Sequence, residues 1–556
     1  MLKLGRIALA RDACVSSFAV LEGNTRIEAQ GHLEGQSALG DGAHVPAGRI
    51  WAGSPARDVG AFDPTRLPPR PAVSTGRSMV EGAFFVFGIL LIVTLFFMPV
   101  FPSFVLIDWF DEAGWMPWLQ GETMGIRLLR YFVLAFPASA VLIVLTALLS
   151  AGIRWTVLPR LQPGRSAVHS NTYCAKWLVS QIQESSLNVL HGIYATVFAP
   201  YWYRLLGAKV GKDAEISTAL GVVPDMLTLG DETFIADAVM LGDEEIDGGW
   251  MTMQPTVISN RSFVGNGAYI PDGTVLPEQV LIGVHSRAPD NAHIHPGDTW
   301  LGSPPLNLPA REQTSGYPES LTFHPSPLRR LGRGLIEAFR IVAPHALVIA
   351  VGYTVVLEVM PAAGAGRWAE VIWDLTLAGL VYGVGNYVFV VLLKWLLIGR
   401  YRKQSEPMWT PFVWLSEAVT NLYEGIAVPN FMRYLRGTPW LPVAFNLMGA
   451  KIGKGVYLDT TDITEFDCVA IGDYSELNAL TCPQTHLFED RVMKIDRVAI
   501  GARVYLGPRS SVLYSAVVGD NARLGALTLV MKGEHIPANG NWAGCPAAPA
   551  RAAGAA

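Results

Sequence analysis

Two stretches of this 556-residue chain break an otherwise regular pattern, and one of them carries an imidazole. The stretch TCPQTHLFEDRVMKID, residues 481–496, holds His486, with Glu489 and Asp490 three and four positions further on. A histidine titrates near neutrality, so it can take the proton from an amine or hydroxyl that attacks a carbonyl. Glu489 and Asp490 are close enough in sequence to orient or polarise it, and the three are read as a candidate catalytic group. A solvent-facing loop histidine is the plain alternative. The equivalent stretch, residues 240–255 (MLGDEEIDGGWMTMQP), has Glu244 where His486 stands. Upstream of the histidine, YLDTTDITEFD (457–467) groups Asp459, Asp462, Glu465 and Asp467, and Asn478 follows on the next strand. Four carboxylates suit a cationic amine acceptor, and Asn478 could hydrogen-bond a substrate. The same residue types also fill corners and caps. No side chain stands out as a covalent nucleophile, so the residues fit direct attack of an acceptor on an activated acyl donor.

Other candidates carry less. His44, His293 and His535 recur at one place in three repeated units, in AHVP, AHIHP and EHIP. Threefold recurrence points to a shared structural task, and the three do not cluster within one unit as a zinc site requires. The five cysteines (14, 174, 468, 482 and 545) are scattered without a CxxC pair. Neither a disulfide framework nor a metal site is therefore indicated. The GAK-x-G-K segments starting at Gly207 and Gly449 are too short for a phosphate-binding Walker loop. Net charge is −5 with no basic run, which argues against nucleic acid.

What must position these groups is a repeat of six. Apolar residues recur at Leu9, Val15, Leu21, Ile27, Leu33, Leu39 and Val45. They recur again at Ile258, Val264, Ile270, Leu276, Ile282, Ala288 and Ile294, and at Ile500, Leu506, Val512, Val518, Leu524, Val530 and Ile536. All 21 positions are apolar, a run that chance at this composition yields roughly once in a million. Period six fits neither a helix nor simple strand alternation. It fits a triangular β-solenoid in which one residue per hexad points inward and three hexads close a coil.

The units repeat over longer distances too. LLGAKVGK (205–212) matches LMGAKIGK (447–454), and WLGSP (300–304) matches WAGCP (542–546), both at a shift of 242; WAGSPA begins at Trp51. Gly207 and Gly449 each precede their closing Trp by 93 residues. The first unit is thus incomplete, and the expectation is that the full protein extends upstream.

Between units lie long uncharged runs: 25 residues (83–107), 23 (131–153), 17 (341–357) and 19 (375–393). Only 16% of residues are charged and mean hydropathy is +0.31. Each pair reads as a membrane hairpin, the second pair also suiting a buried soluble hairpin. Arginines and lysines flank the hairpins (Arg66, Arg70, Arg77, Arg154, Arg160 and Arg165, then Arg329, Arg330, Arg333, Arg340, Arg400, Arg402 and Lys403). The first connecting loop has Asp108, Asp111, Glu112 and Glu122 against Arg127 and Arg130, the second only Arg367. The expectation is a multi-pass protein of the inner (cytoplasmic) membrane with its solenoids cytosolic. Aromatic stretches 177–206 and 409–448 read as interfacial helices, with core helices as the alternative.

The hexads and the closing W-x-G-x-P resemble the hexapeptide-repeat acyltransferases, which implies left-handed parallel β-helices. The alternation with membrane hairpins, together with LRGTPWLPVAFNLMGAKIG (435–453) and QTHLFEDRVMK (484–494), resembles the membrane-bound C-terminal region of nonribosomal peptide synthetases of the poly-ε-lysine-synthetase type. The expected fold is mixed, left-handed parallel β-helices alternating with transmembrane helical hairpins. Its parts are a partial first β-helix (1–62), linker (63–80), hairpin (81–157), interfacial helices (158–205), second β-helix (206–311), linker (312–334), hairpin (335–403), interfacial helices (404–447), third β-helix (448–552) and tail (553–556). The resemblance implies acyl or aminoacyl transfer to an amine, making amide or peptide bonds, with His486 as general base. The donor would be a carrier-protein phosphopantetheine thioester or an acyl-CoA, with no permanently bound cofactor. Adenylation and carrier domains would be partners. Three tandem solenoids would form an internal pseudo-trimer, or copies would associate, since such enzymes bind donor between neighbouring β-helices. Two readings stay open beside this: a CoA-dependent O- or N-acetyltransferase, and a non-catalytic membrane scaffold that docks a carrier protein or synthetase.

Overall fold

The hexad residues turn inward as their spacing demands. A computed structural model describes residues 4–66, 68–121, 123–158, 160–309, 314 and 316–550. Glu122 and the tail 553–556 lie outside them. Short strands stack in parallel with partners eighteen positions apart, Ala8 with Arg26 and Arg26 with His44, so three hexads make one coil. The same step pairs Phe263 with Leu281 and Leu281 with Thr299, and Tyr505 with Arg523 and Arg523 with Asn541. All fourteen hexad residues of the second and third stacks are buried, as are Ile27, Leu33, Leu39 and Val45 of the first. Leu9 and Val15, on the first stack's end coil, are exposed. Leu506 has no exposed surface. Its replacement by Ala removes three carbons from a column with no room to collapse, at a cost of about 2–5 kcal/mol. Thermal unfolding of the detergent-solubilised protein should fall accordingly.

The strands of each complete stack begin after a helix that ends in a glycine. Gly207 and Gly449 close the helices Ala199–Leu206 and Trp440–Met448 at φ +115, and each cap N–H returns to carbonyls of the last turn. The GAK segments are therefore helix stop plus first strand.

Between the first two stacks come α1 (Thr75–Phe97), α2 (Val100–Glu112) and α3 (Met124–Val157), then α4 (Asn171–Leu190) and α5 (Ala199–Leu206). Between the second and third come α6 (Pro327–Gly364), α7 (Trp368–Leu397) and α8 (Pro411–Leu422). Among the described residues four helical segments, α1 with α2, α3, α6 and α7, are long and apolar enough to cross a membrane. The two hairpins pack on each other through α3 and α6, where Ala135, Ala138, Ala346 and Ala350 are fully buried. Small side chains there let the backbones approach closely. The aromatic stretches form helices whose inner faces are core: Trp202, Tyr203, Val413, Tyr423 and Phe445 are buried.

Helix α6, at 38 residues, is about 57 Å long, against roughly 30 Å of hydrocarbon. Its first turns lie against the second solenoid. Arg333 and Arg340, expected from sequence to be flanking topology charges, are there 1% and 2% exposed. The positive charge they supply is spent inside the protein on carboxylates.

Both interruptions of the hexad pattern are β-hairpins rather than loops. Glu245–Asp247 pairs with Trp250–Met253, and His486–Glu489 with Val492–Ile495. Each gains a third antiparallel strand from the segment that follows the long helical hairpin, Gly164–Ala167 or Gln404–Pro407. The reason is apolar content at strand spacing: Met251 and Met253 alternate inward in one hairpin, and Val492, Met493 and Ile495 are buried in the other.

The three stacks touch at their closing W-x-G-x-P corners. Ser54 N–H donates to the Ser303 carbonyl (2.9 Å) and Ser303 N–H to the Cys545 carbonyl (3.1 Å). Ser54 Oγ reaches the Ala526 carbonyl at 3.2 Å, and the His285 ring meets Ser511 Oγ at 2.7 Å.

Candidate active site

His486 opens the strand His486–Glu489, and its Nδ1 lies 2.7 Å from Oε2 of Glu465. Glu465 sits in the left-handed region at φ +39, as the N-cap of the 3-10 turn Phe466–Cys468. That conformation costs a non-glycine residue about 1 kcal/mol or more, and here it aims the carboxylate at the imidazole. Thr464 Oγ1 (2.9 Å) and Thr485 Oγ1 (2.6 Å) also donate to Oε2. Because Glu465 accepts from Nδ1–H, the neutral tautomer leaves the Nε2 lone pair for an incoming proton. Burial disfavours the charged imidazole, but the Glu465 carboxylate outweighs it and holds His486 up at about 8. In turn Glu465, although buried, is kept below the usual range by His486 and the threonines. Glu465→Gln should shift the apparent pKa of transfer downward and lower its plateau, read from a pH–rate profile beside the parent.

The orienting carboxylate is thus Glu465, which the sequence placed among the acceptor-binding residues. Glu489 and Asp490 do not orient the imidazole. Glu489 is engaged by Lys494 (2.7 Å), Lys532 (2.8 Å) and Tyr514 Oη (2.8 Å), and Asp490 accepts from the Thr314 N–H at 3.0 Å. For Glu489 the physical reason is strand alternation, since three residues along a strand a side chain points to the other face; Asp490 lies past the strand, in the turn, at φ +49.

A cavity of about 90 Å³ lies in front of His486. Its walls come from four elements: the third solenoid's hairpin (Leu487, Phe488), α8 and the turn after it (Glu417, Glu424), the second solenoid (Asp237, Phe263) and Arg340 of α6. Arg340 donates to the carbonyls of Ala195 (2.6 Å) and Tyr194 (3.2 Å) and lies 3.8 Å from Glu417. Enclosure raises Glu417 to about 7 against the pull of Arg333 and Arg340. Asp237 and Glu424 open onto the cavity, and enclosure pushes both upward; the neighbouring carboxylates add to the rise of Glu424. Asp462 stands near the same group, pushed upward by desolvation and by Asp237. A cation entering here would relieve that crowding.

The remaining sequence candidates stand apart from the imidazole. Asp467 binds Lys394 Nζ (2.6 Å) and the Tyr401 N–H (3.1 Å), tying α7 to the solenoid. Asp459 faces Arg436 at 3.6 Å. Asn478 donates to the Leu506 carbonyl (2.7 Å), a bond between stacked coils. Sequence reading missed Asp237, Arg340, Glu417 and Glu424, which come from other units. His44, His293 and His535 are exposed on their outer coils.

A second, apolar cavity of about 230 Å³ adjoins the first and shares Phe263, Leu487 and Phe488 with it. It runs between the second and third solenoids, lined by Val284, Leu301, Leu513 and Leu529 among others. The corresponding place in the second unit is unlike the His486 site. Val223 stands for Glu465 and Glu244 for His486, and Glu244 is paired with Lys176. Glu244→Gln should leave transfer unchanged in an assay where loss of His486 is readily seen.

No family model matches the chain. It is 55% identical over 549 residues, 99% of its length, to the Delta-poly-L-ornithine synthetase of Acinetobacter baumannii (strain AB307-0294). The chain is similar, over nearly its whole length, to a poly-amino-acid synthetase. It spans 41% of that relative's length. Among solved structures, a hexapeptide-repeat-containing acetyltransferase from Vibrio cholerae is 13% identical with a TM-score of 0.17, covering 30% of this chain and 90% of its own. The serine acetyltransferase of Neisseria gonorrhoeae is 14% identical with a TM-score of 0.16, covering 41% and 98%. At such scores neither likeness extends to the fold of the whole chain.

Proposed function

We propose that this chain is the membrane-bound part of a poly-amino-acid synthetase that joins an aminoacyl thioester to an amine. The observation that carries the reading is the His486–Glu465 pair at the head of a carboxylate-lined cavity that opens into an apolar cleft between two solenoids. The acceptor amine lies among Asp237, Glu424 and Asp462, whose charge selects a cationic amino acid or oligomer; ornithine fits this, and the relative's name points to it. The donor's flexible arm lies in the apolar cleft. His486 Nε2 takes the amine proton as nitrogen attacks the thioester carbon. The C–N bond forms, the C–S bond breaks, and the sulfur leaves as thiolate to collect a proton. Phosphopantetheine on a carrier protein and acyl-CoA end in the same arm, so the cleft suits either. Adenylation and carrier domains supply the donor.

In this reading the stacks are left-handed β-helices alternating with transmembrane hairpins at the bounds given above. The three act as an internal pseudo-trimer, and the solenoids face the cytosol at the inner membrane. The test is the purified chain in nanodiscs with ornithinyl-pantetheine and a short ornithine oligomer. Mass spectrometry should find the oligomer extended by one residue, with extension lost in His486→Ala. Extension that persists in that variant removes His486 from the chemistry, a parent chain that extends nothing is a scaffold, and acetylation from acetyl-CoA in its place makes it an acetyltransferase.

A further inference from the structure

Away from the His486 cavity, the first solenoid and the second solenoid's hairpin bring three metal-ligating side chains to one point. Cys14 and His32 are register partners on adjacent coils of the first solenoid, eighteen residues and therefore one turn apart. Asp247 ends the strand Glu245–Asp247 of the second unit's hairpin. Cys14 Sγ, a ring nitrogen of His32 and a carboxylate oxygen of Asp247 all lie within 4.8 Å of one another. His32 Nε2 is 3.5 Å from Asp247 Oδ2. Ligands arranged tetrahedrally around zinc at about 2.0–2.3 Å stand roughly 3.3–3.7 Å apart, so the spacing needs little adjustment.

The histidine is prepared for a metal. Its Nδ1 is 3.1 Å from the Gln30 carbonyl. A carbonyl only accepts, so Nδ1 carries a hydrogen, and Nε2 is the nitrogen turned toward Asp247. That backbone partner on the far nitrogen is the usual support of a metal-bound imidazole. Nε2 itself is buried, and its polar neighbour is the Asp247 carboxylate at 3.5 Å, longer than a good hydrogen bond. Phe62 stacks on the ring at 4.0 Å and fixes its plane.

We propose that Cys14, His32 and Asp247 form a zinc site that staples the first solenoid to the second unit's hairpin. One thiolate, one imidazole and one carboxylate suit zinc better than the hard cations, which prefer oxygen throughout. Three protein ligands leave a fourth position for water. The site has a mechanical sense. The hairpin it holds is the second unit's counterpart of the one bearing His486, and Asp247 stands where the third unit has Glu489. There the grip comes from Lys494 and Lys532; here a metal supplies it.

The experiment uses the whole chain in nanodiscs, stripped with a chelator and titrated with Zn²⁺ alone against a chromophoric competitor, then with Co²⁺. One equivalent should bind. Cys14→Ser, His32→Gln and Asp247→Asn should each weaken binding by more than about tenfold, the least that loss of even an outer partner of a zinc ligand costs. Cys14→Ser should also remove the sulfur-to-cobalt charge-transfer band. Thermal unfolding of each variant in the nanodisc reports that it is folded, independently of metal and of transfer. Failure to bind one equivalent, or binding unchanged in all three folded variants, overturns the proposal whatever becomes of the His486 reading.

Discussion

His486→Ala should lower amide formation by about 10²–10⁴-fold, the usual contribution of a positioned general base. The loss should fall on turnover, because the carboxylates proposed to hold the acceptor, Asp237, Glu424 and Asp462, are untouched. The pH dependence follows from the sign of the shift. Glu465 holds His486 at about 8, so at pH 7 most of the imidazole is already protonated and cannot accept. The rate should rise about tenfold between pH 7 and 9 and then level as the neutral form saturates. The acceptor amine titrates in the same range, and the comparison with Glu465→Gln separates the two. A change in the amine affects both proteins alike, whereas the His486 limb moves only in the variant. A parent profile flat from pH 7 to 9, with turnover intact in His486→Ala, would remove the imidazole from the chemistry.

How much of this was legible beforehand depended on distance along the chain. Six-residue periodicity is a local signal, and the stacking it implies places Leu506 and Val264 at the centre of their coils. The interruption carrying His486 was equally plain, because a broken period is visible as such. Its partner was not. Glu465 lies 21 residues upstream, and only the left-handed turn at the head of a 3-10 segment points it inward. Glu489 was nearer in sequence, but alternation along a strand turned it toward Lys494 and Lys532. Asp237, Glu417 and Arg340 come from three other elements, and no spacing within one unit could have gathered them. Cys14 and His32 were hidden by the same cause: eighteen residues look scattered until the coil length is known. Arg333, Glu337 and Arg340 did leave a trace. Charges at i, i+4 and i+7 of an apolar helix share one face, and a charged stripe there asks for a partner inside the protein.

That stripe carries the second large effect. Arg333 donates from Nε to Glu337 (2.6 Å) and through both terminal nitrogens to Glu215 (2.8 and 3.0 Å), with the Trp409 ring 4.7 Å from its guanidinium carbon. Glu337 also accepts from the Val197 N–H at 2.8 Å. Glu215 belongs to the second solenoid and Arg333 to α6, so one guanidinium joins the second helical hairpin to the solenoid. Arg333 and Glu337 are each 1% exposed. Arg333→Met should cost about 3–5 kcal/mol, since it removes from two carboxylates held away from water the one guanidinium that hydrogen-bonds both of them. Most of that is the penalty of the stranded charges, not the worth of the bond. Arg333→Met combined with Glu215→Leu and Glu337→Gln should therefore recover much of the loss, the Gln still accepting from Val197. Thermal unfolding in nanodiscs measures both. Because Arg340 lies two turns further along the same face and holds the Ala195 carbonyl at the cavity wall, the single variant should also depress transfer and the triple variant should restore it. A triple variant that regains stability without transfer would mean that Arg333 sets the position of α6 through its charge, and that packing alone cannot replace it.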